Sequence, residues 1–142
     1  MNYRKMASYA AMALGILMII GGATTYYVVS DTLGDQAIVT SDDACLPGND
    51  VNGPFTAYCE AKVINTHTME ATGGLTYAQL DREDPLRNTA MNSAFLQASL
   101  FTSVVAFGVA AMAAGMGVVF VLIGLGMRDV AEVVGKVPTR AG

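Results

Sequence analysis

The chain has 142 residues, of which 53% are hydrophobic and 14% charged, with a mean hydropathy of +0.43 and a net charge of −4. Soluble domains carry roughly a quarter charged residues, so this composition points to a membrane. The length admits one small unit and excludes a multidomain enzyme, and one histidine, two cysteines and no tryptophan leave little catalytic hardware.

From Met6 to Ser30 there is no charged residue. At ~1.5 Å per residue this stretch reaches roughly 37 Å, more than the ~30 Å hydrocarbon core, and predicts a transmembrane helix over about 7–29. Arg4 and Lys5 ahead of the run, with Gly21 and Ala23 near its end, give it some signal-peptide character. The segment is nevertheless expected to stay on the protein as an anchor. Residues 1–30 are thus read as a cytoplasmic leader and first span.

An acidic extracytoplasmic segment follows over 31–85. Ala37-Ile38-Val39-Thr40 reads as an extended arm and Leu46-Pro47-Gly48-Asn49-Asp50 as a turn. Pro54 suits a first helical position, with a helix running to about Ala71 and stopped by Gly73-Gly74. Thr76 with Gln79 resembles a capping box for a short turn ending near Leu80.

Asp84-Pro85 then starts a long helix over 86–127, uninterrupted by glycine or proline as far as Phe107. It would be roughly 60 Å long, and its apolar part, about 103–127, is the second span. Met91, Ala94, Phe95, Ala98 and Val105 recur at helical spacing and are expected to pack against the rest of the outer segment. Residues 128–142 form a cytoplasmic tail. The predicted class is an all-α membrane protein: a two-helix transmembrane hairpin, a small and mostly helical outer insertion, and a long second helix.

Charge sets the orientation. Arg4, Lys5, Arg128, Lys136 and Arg140 against Asp129 and Glu132 leave the ends at +3, whereas ten acids and three bases leave residues 31–92 at −7. The positive-inside rule then places both termini in the cytoplasm and residues 31–92 outside a bacterial plasma membrane. Tyr3 and Tyr9 at one end, and Tyr26 and Tyr27 at the other, suit the two interfacial belts.

Cys45 and Cys59 lie on the predicted outer face, where a disulfide is the default; free thiols and a metal pair are the weaker readings. A zinc site would need two further ligands at spacings this chain lacks. His67 with Glu70, and Glu60 two turns earlier, would at most hold a cation weakly, and a surface histidine beside acids is the commoner meaning. The outer carboxylates show no calcium-loop spacing and read as a solvated acidic face.

Small residues are spaced along both spans: Ala7, Ala11, Gly15 and Gly22 in the first, Ala106, Ala110, Ala113, Gly117 and Gly124 in the second. Steps of three, four or seven bring each set onto one helix face, where backbones can approach closely. One stripe is expected to pack within the chain and the other against a partner. The spans carry no Asp, Glu, Lys, Arg, His, Asn or Gln in the hydrocarbon core, which argues against a self-contained transporter or proton channel.

The runs Asn52-Gly-Pro-Phe-Thr-Ala-Tyr58, Val63-Ile-Asn-Thr-His67, Glu70-Ala-Thr-Gly-Gly74, Thr76-Tyr-Ala-Gln-Leu-Asp-Arg-Glu-Asp-Pro85 and Ser99-Leu-Phe-Thr-Ser-Val-Val-Ala-Phe-Gly108 resemble a family of small two-helix membrane proteins of actinobacteria. The likeness covers about residues 10–127, and Asp81-Arg-Glu-Asp-Pro85 is its most specific part. Many such proteins carry the label "aromatic ring-opening dioxygenase". The resemblance implies an actinobacterial plasma membrane and a helical hairpin with an ectodomain; its members often lack the cysteine pair, which would make the disulfide particular to this branch.

The dioxygenase label conflicts with the residues. A facial-triad iron oxygenase needs two histidines and a carboxylate, and this chain has only His67. It also lacks a hydrolase constellation and a phosphate-cradling loop. The sequence therefore reads as a non-catalytic accessory or structural subunit of a larger plasma-membrane complex, with a respiratory complex as the specific candidate. It is expected to use no cofactor and no metal. Its expected partners are membrane lipids and other integral membrane subunits or copies of itself, with no nucleic acid. The alternatives are a self-assembling homo-oligomeric scaffold and a small regulator acting through Arg128–Gly142.

Overall fold

The structure is a computed structural model that describes residues 3–136, including side chains except at Arg4 and 131–136. It is all-helical, with α1 at Tyr3–Gly34, α2 at Pro54–Ala71 and α3 at Arg87–Lys136. Among the described residues there is no strand, only one antiparallel bridge between Val39 and Asp50. Helices α1 and α3 are long and apolar enough to cross a membrane. At ~1.5 Å per residue they are roughly 48 and 75 Å long.

Both exceed their predicted lengths. α1 continues past Ser30 through Asp31 to Gly34, because Leu33 at its end is buried in the core shared with α2. α3 continues past Met127 to Lys136, so the first part of the predicted tail is helical; residues 137–142 lie outside the described residues. Its start is as predicted in kind, one residue late: the Asp84 carboxylate accepts from the Leu86 N–H at 2.8 Å.

Contacts divide the chain into two units. One comprises residues up to Thr25 and from Val109 on, the other Tyr26–Gly108.

In the first unit α1 and α3 run antiparallel with their backbones touching. A Cβ on Gly15 would lie 2.5 Å from the Gly117 carbonyl oxygen, and one on Gly117 would lie 2.6 Å from that of Gly15. Gly22 meets the Ala110 carbonyl and Ala114 in the same way, and Gly124 meets Ser8 and Met12. Only hydrogen at these positions allows such approach. The expectation that one stripe would face a partner is therefore corrected: both stripes face inward and pack on each other. All nine predicted packing positions are buried or half-buried, as are Ser8 and Ala114, which the stripes omitted. The buried centres recur every seven residues (Ser8, Gly15, Gly22; Ala110, Gly117, Gly124), the period of a left-handed helix pair.

In the second unit α2 packs on the ends of α1 and α3. Leu33, Val51, Ala57, Ala61, Leu100 and Phe107 form its core, with Val29, Ile38, Ile64 and Val104 against it. Tyr26 packs on Phe107 with ring centroids 4.7 Å apart. The helix start at Pro54 and stop at Ala71 match the sequence reading, and Gly73 and Gly74 take the left-handed φ values of 65° and 86° that end it. Thr76 and Gln79 form the expected local turn, with the Thr76 N–H donating to Gln79 Oε1 at 3.0 Å.

The predicted packing stripe of α3 is corrected. Phe95 and Val105 are 67% and 63% exposed, and Ala94 and Ala98 also face outward; only Met91 is half-buried. The packed face is the adjacent one, through Ala90, Ser93, Gln97, Leu100, Val104 and Phe107. The most apolar stripe is therefore not the buried one.

Candidate functional site

The unit Tyr26–Gly108 is tied together by polar and covalent links around the N-terminal half of α2. Cys45 and Cys59 stand at disulfide distance, with Cα atoms 5.4 Å apart, joining the 41–53 loop to α2. Cys59 is buried with Ala44 and Val63, while Cys45 is exposed. The next residue after Cys59, Glu60, is only 7% exposed. Its carboxylate accepts from the Ser41 backbone N–H at 2.9 Å and from the Ser41 hydroxyl at 3.3 Å. Thr40 completes the loop: its N–H donates to the Asn49 carbonyl, and its hydroxyl donates to the Leu46 carbonyl.

These contacts decide the candidate ligand face. Glu60 points into the unit and is occupied by Ser41, so it does not share a surface with His67. His67 Nε2 lies 2.7 Å from Asp43 Oδ2, and both side chains are more than half exposed. Glu70, one turn further, makes no recorded contact with the histidine. Among the described residues no group of three or more His, Cys, Asp or Glu side chains could hold a metal ion.

Clefts mark the unit Tyr26–Gly108. One, of about 350 Å³, lies between α2, the 75–78 turn and α3, lined by Asn65, Thr68, Thr76, Tyr77 and Gln97 among others. It offers amides, hydroxyls and apolar carbon, without a carboxylate, imidazole or thiol in its lining. A second, of about 270 Å³, is bounded by α1 and α3 and lined by Thr32, Gln36, Ser99, Thr102 and Ser103 with apolar neighbours. A third, of about 220 Å³, sits over the disulfide beside Asp43, Lys62 and Thr66. None sets a nucleophile against a base and an orienting group.

The surface is more informative than the clefts. On α2, Phe55 is 77% and Tyr58 47% exposed; on α3, Phe95 and Leu96 face outward. Residue-by-residue chemistry missed Phe55 and Tyr58, although aromatic residues three apart in the first turns of a helix were visible. Arg87 stacks 4.3 Å from the Tyr77 ring centroid and also donates to the Leu80 carbonyl, holding the 72–86 connection against the start of α3.

The arrangement defines a class: an all-helical chain with two antiparallel helices fit to cross a membrane and a second, disulfide-linked helical unit. Comparison with protein-family models, curated proteins and solved structures finds no match.

Proposed function

We propose that this chain is a non-catalytic accessory or structural subunit of a larger plasma-membrane complex, with both termini cytoplasmic and residues 31–92 outside. The observation that carries the reading is the exposed apolar pair Phe95 and Leu96 on the part of α3 that precedes its most apolar stretch. Large apolar side chains outside hydrocarbon favour a protein partner. The inward use of both glycine stripes adds to this. A partner within the membrane would meet large side chains such as Leu17, Met112 and Leu122, a surface suited to filling a groove.

The small chemical inventory supports a role without catalysis, since its one histidine is paired with Asp43. A respiratory complex of an actinobacterium is the specific candidate assembly. Mild-detergent purification through a chromosomal C-terminal tag, with mass spectrometry and a visible absorption spectrum, tests it. Co-purifying core subunits with haem bands, reduced by Phe95→Ala with Leu96→Ala, are the expected result. A colourless preparation of this chain alone at high mass would replace the reading with a self-assembling scaffold.

A further inference from the structure

We propose that the first turns of α2 form a foot seated in the lipid headgroup layer, with Phe55 and Tyr58 as its lipid-contacting side chains. This rests on the reading of α1 and α3 as membrane spans.

The exposed face of α2 changes character along its axis rather than around it. Phe55 and Tyr58 stand exposed in its first turns, whereas Lys62, Asn65, Thr66, His67 and Glu70 occupy the exposed positions beyond. A helix end solvated by water has no need of a largely exposed phenylalanine, and aromatic side chains concentrate at membrane interfaces.

The aromatic end of α2 is also the end nearest the apolar stretches. The Ser30 hydroxyl, at the close of the uncharged run of α1, donates to the Asn52 carbonyl at 2.7 Å, just ahead of Pro54. The Tyr58 ring packs edge-on against Phe101, with centroids 6.1 Å apart. From Val104 to Met127 the sequence of α3 has no charged residue. At the other end of α2, Asn65, Thr68 and Met69 share a cleft with Ala90, Ala94 and Gln97 of α3. α2 therefore runs back along α3, away from the apolar stretch.

Phe101 and Ala94 are roughly 10 Å apart along the axis of α3, and the headgroup layer is about 5–8 Å deep on each side. The layer accommodates Phe55 and Tyr58 and ends before the polar half of α2. Tyr26 and Tyr27 of α1 are exposed at the same end of this unit. Together these rings form one interfacial belt, with the Tyr58 ring combining an apolar body and a hydroxyl suited to that layer.

The absence of tryptophan makes a direct test available. Phe55→Trp, Tyr58→Trp, Leu17→Trp and Glu70→Trp are each made in the full chain and reconstituted in phosphatidylcholine vesicles containing lipid brominated near the headgroup or near the chain end. Acrylamide supplies the aqueous quencher. The expected result is blue-shifted emission from Phe55→Trp and Tyr58→Trp, quenched more by the shallow bromines than by the deep ones. Leu17→Trp should favour the deep bromines, and Glu70→Trp should respond to acrylamide alone.

If Phe55→Trp and Tyr58→Trp behave like Glu70→Trp while Leu17→Trp remains lipid-quenched, the foot is overturned and the spans stand. Failure of lipid quenching at Leu17→Trp as well would remove the membrane reading itself. Blue-shifted emission from Phe55→Trp that neither bromines nor acrylamide quench would assign the surface to a second copy of the chain and likewise overturn the lipid contact.

Discussion

The unit up to Thr25 and from Val109 on differs from the unit Tyr26–Gly108 in what holds its helices together. In the first, glycine opposes backbone: Gly15 and Gly117 approach so closely that a methyl group on either would overlap the other's carbonyl. Across the pair the Ser8 hydroxyl donates to the Gly124 carbonyl at 2.6 Å. In the second, side chains carry the contacts: an apolar core around Ala57, Ala61 and Phe107, the Glu60–Ser41 bonds and the Cys45–Cys59 link. On the proposed reading of α1 and α3 as membrane spans, the difference follows from the medium. Lipid provides no hydrophobic drive between apolar helices, so shape and close approach must associate them. Water rewards burial, and a small outer segment with little core gains from a covalent link.

Gly117→Leu should be the largest perturbation of this contrast. Its side chain would meet the backbone of Gly15 and Ile19, and overpacking without room to relax costs about 3 kcal/mol or more. Gly115→Leu, where a Cβ meets nothing, is the control. Thermal unfolding followed by circular dichroism in mild detergent should separate the two variants, and equal losses would place Gly117 on the lipid face.

Next comes reduction of the disulfide, which in the chain-entropy model removes roughly 3 kcal/mol for a closed loop of this length. Faster hydrogen exchange in α2 after reduction, with exchange around Gly15 and Gly117 unchanged, is the expected signature. Unreduced peptide mapping should recover Cys45 linked to Cys59, and free thiols in the native protein would sink the assignment.

Glu60→Ala removes both bonds to Ser41 and leaves its N–H without the recorded acceptor, at a cost of about 1–3 kcal/mol. Quicker proteolysis of the 41–53 loop would reveal it; resistance equal to that of the unaltered protein would mean that the disulfide alone holds the loop. Ser8→Ala should be the mildest, about 0.6 kcal/mol, since hydrogen bonds between membrane helices contribute little on average. A loss comparable to that of Gly117→Leu would mean that polar bonding, rather than close packing, holds the pair.

Much of this architecture is legible in the linear chain because its signals are local. Two uncharged runs, Pro54 with Gly73-Gly74 around one helix, the Asp84 cap and the paired cysteines each report on their own neighbourhood. The small residues are legible too: seven-residue spacing puts Gly15 with Gly22, and Gly117 with Gly124, on single faces whatever packs there. Spacing cannot say what faces a stripe, and only the antiparallel pairing decided that the two stripes close on each other. The same limit misplaced the packed face of α3. Apolarity selected Phe95 and Val105, but α2 lies against the neighbouring face through Ala90 and Gln97, because helix packing depends on shape across elements distant in sequence. Glu60 is the clearest case: its sequence neighbours suggest one more surface carboxylate, and only the return of Ser41 from nineteen residues away makes it a buried anchor.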